Sequence, residues 1–198
     1  MIVTNLHLFG VQNYAVWTII ADIPQILATF AAAHFKTVYR PPSMLHTGDK
    51  APSFTLRASD KSRVSLQDFR GQHVVLLFFP LAFTGVCTKE LCALRDGLAD
   101  YQQLNAQVLA ISVDSLFTLH KWKQEQDFNF PMLSDFNKTV SKKYDVLYKE
   151  FVFEMKGVSK RSAFVIDKEG IIRYAEVLEN AGEMPDFEAV KKNLASLN

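Results

Sequence analysis

Two cysteines are the residues of this chain best suited to chemistry, and the residues around them indicate which kind. The stretch Phe78-Phe-Pro-Leu-Ala-Phe-Thr-Gly-Val-Cys-Thr-Lys-Glu-Leu-Cys92 begins at the end of an apolar run, Val74 to Phe79, bounded by Gly71 and Pro80. Such a run reads as a strand buried on both faces. Beyond Pro80 and Gly85 the apolar positions Leu91, Leu94, Leu98 and Tyr101 take up helical spacing. Cys87 therefore falls in the first turn of a helix, where free N–H groups and the positive end of the helix dipole favour an anion. A thiolate is such an anion and is the nucleophilic form of cysteine. This predicts a reactive thiol.

Cys92 lies five residues further on. Along a helix that spacing advances about 7.5 Å and turns about 140°. The two Cα atoms then lie beyond the ~7 Å that a disulfide spans, so a bond between them requires the first turns to unwind. On a helical wheel Cys87 shares the side of Leu91, Leu94 and Leu98, while Cys92 lies near Asp96 on the other. A free cysteine in such a place often serves only as a small hydrophobe.

The elements that must hold these thiols can be placed coarsely. Ser53 to Arg57 and Val64 to Leu66 read as short strands around the turn Ala58-Ser-Asp-Lys61, and Leu66 to Phe69 leads into a turn at Gly71. The strand Val74 to Phe79 precedes the Cys87 helix, which is expected to run to about Leu104. Gln107 to Val113 reads as another buried strand, and Ser115 as the N-cap of a helix reaching Gln126. Phe130 to Leu133 is a loop or short strand, and Lys138 to Tyr144 a short helix. Ser162 to Ile166 and Ile171 to Val177, separated by Asp167-Lys-Glu-Gly170, read as a hairpin. A helix over Asp186 to Leu197 closes the chain. This order predicts an α/β layer architecture. Phe78 and Phe79 are expected in its core, Trp122 in the core or a subunit contact, and Phe83 and Phe117 near a pocket or interface.

At 198 residues with 48% apolar content the chain suits one domain with a full core. Its 22 basic residues balance 21 acidic ones, so nothing suggests a nucleic-acid footprint. Two closely spaced cysteines do not make a secreted disulfide framework, which points to a reducing, cytoplasmic compartment. His7, His34, His46, His73 and His120 are scattered and no Cys-x-x-Cys pair occurs, so no metal site is expected.

Residues 1–43 differ from the rest. Asp22 is their only acidic residue, and Val16 to Phe35 approaches the length of a membrane span. Asp22, Pro24, Gln25 and His34 interrupt that stretch, and a central Asp alone costs about 3 kcal/mol on insertion scales, so a membrane association is disfavoured. No basic residue precedes Lys36, against a signal peptide.

Pro80-Leu-Ala-Phe-Thr84-Gly-Val-Cys87 resembles the Pro-x-x-x-Thr-x-x-Cys signature of the peroxiredoxins. Lys160-Arg161-Ser-Ala-Phe-Val-Ile-Asp167 is similar to the strand that carries the family's arginine. Gly48-Asp-Lys-Ala-Pro52, Ser112-Val-Asp114 and Leu133-Ser-Asp135 extend the likeness, which runs from about Met44 to the C-terminus. The resemblance implies a thioredoxin-like domain over 44–198, with a central mixed β-sheet flanked by helices. It leaves 1–43 as an extension, read as an appended helix, a targeting segment or, the favoured reading, translation from an upstream start codon.

By the same resemblance Cys87 is expected to attack a hydroperoxide, forming a sulfenic acid. Arg161 would hold the thiolate and the peroxide oxygens, the Thr84 hydroxyl would join that cluster, and Pro80 would shield the sulfur. Cys92 matches the resolving cysteine of the bacterioferritin-comigratory type. The loop before Cys87 looks closer to the alkyl hydroperoxide reductase E type, in which such a cysteine is not general. A thioredoxin- or glutaredoxin-type reductant, a homodimer and no cofactor are implied. A thiol–disulfide oxidoreductase, or a chaperone-like protein keeping the fold, are the competing readings.

Overall fold

The structure, a computed structural model, describes residues 44–198; the expectations for residues 1–43 lie outside them. Seven strands form one mixed sheet: β1 (Thr55–Ala58), β2 (Arg63–Ser65), β3 (His73–Phe78), β4 (Ala106–Ser112), β5 (Met132–Ser134), β6 (Ser162–Ile166) and β7 (Ile172–Val177), in the order β2-β1-β5-β4-β3-β6-β7. β3 pairs parallel with β4 and antiparallel with β6, and β4 pairs parallel with β5. Helices α1 (Gly85–Asp96), α2 (Leu98–Gln103), α3 (Leu116–Glu125), α4 (Thr139–Lys143) and α5 (Phe187–Ala195) cover its faces.

The apolar run at β3 is continuous because both faces of the strand are covered. All six of its residues are buried. Val75, Leu77 and Phe79 join Leu91 and Leu94 of α1, Trp122 of α3 and Leu194 of α5 in one core layer. Val74, Leu76 and Phe78 face the other layer with Phe54, Tyr144 and Phe164. Each such side chain contributes about 1.5–3 kcal/mol through burial, so the strand leading to Cys87 is held from both faces.

One expectation needs correction. The helix after Pro80 does not run unbroken to Leu104; it ends at Asp96 and restarts at Leu98. Gly97, with φ −96° and ψ 9°, leaves helical geometry there, as suits the residue with the lowest helix propensity after proline. Leu66–Phe69 leads into the turn at Gly71 as read from the sequence, and does so as a 3₁₀ turn with a full capping box. Ser65 caps the turn through its side chain, while the Asp68 carboxylate takes the Ser65 N–H. Ser115 does cap α3, accepting from the Thr118 N–H at 3.1 Å.

Candidate active site

Cys87 occupies the first turn of α1 and is 1% exposed. Thr84 is the N-cap residue, in extended geometry, but its side chain caps no N–H of the helix. Its hydroxyl donates instead to the Leu81 carbonyl at 2.9 Å, and its own carbonyl accepts from the Thr88 hydroxyl at 2.8 Å. The open end of α1 thus keeps its positive character beside the sulfur. Pro80 is buried in the loop between β3 and α1.

Arg161 reaches the thiol through strand register. Phe78, the last residue of β3, pairs with Ser162, the first of β6, so Arg161 sits level with the start of the loop. By strand alternation it continues the face of Ala163 and Val165, which lie in the same core layer as Cys87. The guanidinium is 1% exposed. Its Nη2 donates to Cys87 Sγ at 3.3 Å and to the Ala181 carbonyl at 3.1 Å. Its Nη1 donates to the Glu90 carboxylate.

Glu90 escaped the sequence reading. It lies three residues after Cys87 on the same helix face and is fully buried. Burial pushes its carboxyl up to about 7, with the Arg161 charge and hydrogen bond opposing that rise. Burial works against the charge of Arg161 as well, yet Glu90 and Cys87 outweigh it and hold the guanidinium above its ordinary value. Glu90 Oε1 and Arg161 Nε have no hydrogen-bond partner. A carboxylate on the apolar stripe of Leu91 and Leu94 was the available signal, since an acidic residue seldom faces a core unpaired.

Cys92 stands apart from this cluster. It is half-buried against the core layer, and its thiol donates to Gln126 Oε1 at 3.7 Å. The helical wheel set it beside Asp96 on the open side. Asp96 is indeed exposed, but the chain just after α3 covers Cys92, and Arg95 Nη1 ties that cover down by donating to the Gln126 carbonyl at 2.6 Å. Both cysteines are free thiols. Of the aromatic residues, Phe78, Phe79 and Trp122 are core, while Phe83 and Phe117 are exposed. Phe83, in left-handed geometry at φ 62°, lies 5.8 Å from the Trp122 ring between centroids.

Among the described residues no group of three or more His, Cys, Asp or Glu is placed to hold a metal, and no helix is long and apolar enough to cross a membrane.

The fold is that of solved peroxiredoxins, thioredoxin-like in its sheet and helices. Peroxidoxin BcpB from Mycobacterium tuberculosis superimposes with a TM-score of 0.70 at 26% identity, over 79% of this chain and 99% of that one. The reduced 2-Cys peroxiredoxin of Plasmodium vivax gives 0.68 at 31% identity, over 76% and 81%. The AhpC/TSA family profile matches residues 47–175, and the chain belongs to that family: it is a peroxidase of the peroxiredoxin type. Alkyl hydroperoxide reductase E of Mycobacterium tuberculosis is 42% identical over 157 residues, 78% of this chain and 99% of the relative.

Proposed function

We propose that the chain reduces hydroperoxides through Cys87, and that Arg161, Thr84 and Pro80 complete the site. The 3.3 Å contact between Arg161 Nη2 and Cys87 Sγ, both groups buried, carries this reading. The cation and the open end of α1 favour a negative sulfur. The thiolate attacks the terminal oxygen of the peroxide; the O–O bond breaks, and the departing alkoxide or hydroxide takes a proton to leave as alcohol or water. Cys87 is oxidised to a sulfenic acid while the peroxide is reduced. Arg161 stabilises charge as it moves onto the leaving oxygen. The Thr84 hydroxyl, now donating to Leu81, keeps lone pairs for the same cluster, and buried Pro80 withholds water from the sulfur. Likeness to an alkyl hydroperoxide reductase E supports organic hydroperoxides as substrates, and membership of the peroxiredoxin family supports peroxides, hydrogen peroxide included, as the wider class.

Resolution is assigned to Cys92. Its thiol condenses with the sulfenic acid, releasing water and forming a disulfide that a thioredoxin- or glutaredoxin-type dithiol then reduces by exchange. The two cysteines stand five positions apart on the helix, with four residues between them, so α1 must unwind from its N-terminus. The Gln126 contact and half-burial of Cys92 favour a second reading, in which an outside thiol resolves Cys87 directly. A cytoplasmic setting and a homodimer fit this function.

Peroxide consumption with a dithiol reductant tests the core claim. The wild-type chain is expected to turn over and Cys87→Ser to be inactive; equal rates would remove the peroxidase reading, and with it leave the oxidoreductase and chaperone-like alternatives standing.

A further inference from the structure

The loop from Phe79 to Thr84 shapes the approach to Cys87, and among the described residues two side-chain hydrogen bonds tie it to other elements: the Thr88 hydroxyl of α1 holds its last carbonyl, and Asp114 holds its middle. Asp114, just beyond β4, accepts the Ala82 N–H on its carboxylate Oδ2 at 2.8 Å. The same oxygen accepts from the Ser112 hydroxyl at 2.8 Å. Asp114 is itself fixed to the ends of two interior strands, β4 and β5: its N–H donates to Ser112 Oγ at 3.2 Å, and its carbonyl accepts from the Ser134 hydroxyl at 2.6 Å. The remaining ties of the loop are backbone bonds from Phe79 N–H to the Ile111 carbonyl at 3.0 Å and from Thr88 N–H to the Thr84 carbonyl at 2.9 Å, the internal Thr84–Leu81 bond, and the ring contacts of Phe79 and Phe83 with Trp122. Phe83 holds a left-handed backbone that non-glycine residues avoid, and such a conformation persists only where the surroundings enforce it. Ala82 meanwhile packs in the same core layer as Cys87.

We propose that Asp114 is a positioning residue for the reaction at Cys87: by holding the Ala82 peptide it fixes the Pro80–Thr84 loop against the sulfur. The inference rests on the peroxidase reading above. Attack on a peroxide needs the reacting atoms aligned at roughly 3–3.5 Å, and a misplacement of about 1 Å costs on the order of a hundredfold in rate. No hydrogen bond joins Asp114 to Cys87, Glu90 or Arg161, so its influence passes through the loop. Both donors meet a single oxygen, and an asparagine amide oxygen in that place can take both. Alanine offers neither and leaves the Ala82 N–H without its partner.

The test compares wild type, Asp114→Ala and Asp114→Asn by two rates: single-turnover oxidation of Cys87 by hydrogen peroxide, and alkylation of Cys87 by iodoacetamide. Asp114→Ala is expected to slow oxidation about tenfold or more and to speed alkylation about threefold or more, because a loosened loop exposes a sulfur that is otherwise buried. Asp114→Asn is expected to restore both rates to within about threefold of wild type. Should Asp114→Ala not fold, Ser112→Ala, which frees the carboxylate without deleting it, is expected to move the two rates in the same opposite senses. Both rates unchanged, both falling together, or an asparagine variant no better than alanine would overturn the proposal. Alkylation judges the anchor even in a chain that consumes no peroxide, so failure of the peroxidase reading is told apart from failure of this one.

Discussion

Glu90 and Arg161, 71 residues apart in the chain, form an ion pair inside the core, and Cys87 shares the same guanidinium. One buried cation thus stands between two groups that compete for it. A buried carboxylate whose proton binds more tightly in the folded state than in the unfolded one makes the stability of the whole domain depend on pH.

The sign follows from linkage. The folded-state pKa of Glu90 is raised from about 4.5 to about 7, so between those values the folded chain binds the extra proton. Its contribution to stability is full below about pH 4.5 and is lost as pH rises through about 7. Glu90→Gln removes this dependence. Urea midpoints measured from pH 5 to pH 8 should show the difference, variant minus wild type, growing with pH; a constant difference would mean that Glu90 titrates normally.

Arg161 holds three acceptors in a fork geometry: Cys87, Glu90 and the Ala181 carbonyl. Lysine carries the charge but not the fork. Arg161→Lys should therefore lower the rate of Cys87 oxidation by about a hundredfold or more, read by stopped-flow fluorescence. Arg161→Ala should in addition destabilise the fold by about 3–5 kcal/mol, because it strands a buried carboxylate. A lysine variant with the wild-type rate would show that charge alone suffices.

One equivalent of peroxide should convert the wild-type chain to a form two hydrogens lighter, with Cys87 and Cys92 in one disulfide-linked peptide by mass spectrometry. In Cys92→Ser the sulfenic acid should persist and be trapped by dimedone. If Cys92→Ser instead turns over at the wild-type rate with a thioredoxin-type reductant, an external thiol does the resolving.

Trp122 packs its ring against Phe79 at 5.6 Å, Phe83 at 5.8 Å and Phe128 at 5.0 Å, centroid to centroid, and is 1% exposed. Trp122→Ala should cost about 3–5 kcal/mol in stability. Phe83→Ala, at an exposed position, should cost under about 1 kcal/mol. Chemical denaturation of the two variants side by side checks the contrast.

What could be read in advance followed the range of the interaction. The position of Cys87 depends on signals within a dozen residues, an apolar run, Pro80, Gly85 and the leucine spacing, and the helix begins at Gly85 as those signals require. The proximity of Arg161 depends on β6 pairing with β3, a long-range event that no periodicity reports; only family resemblance pointed to it. Glu90 had a local signal, its spacing from Cys87, but a carboxylate is ordinarily solvated, and its partner came from that same distant pairing. For Cys92 the wheel set it away from Cys87, Leu91 and Leu94, and could not foresee that it would pack against their core layer with Gln126 over it.

The Phe78–Ser162 register ties the chemistry to the architecture in one further respect. A shift of one residue along β6 would turn Ala163 and Val165 away from the α1 side and present Lys160 or Ser162 where Arg161 now points. Insertions or deletions within that strand should therefore abolish folding and catalysis together, so mutational drift that silences the enzyme while sparing its scaffold has to come from substitutions and not from slippage.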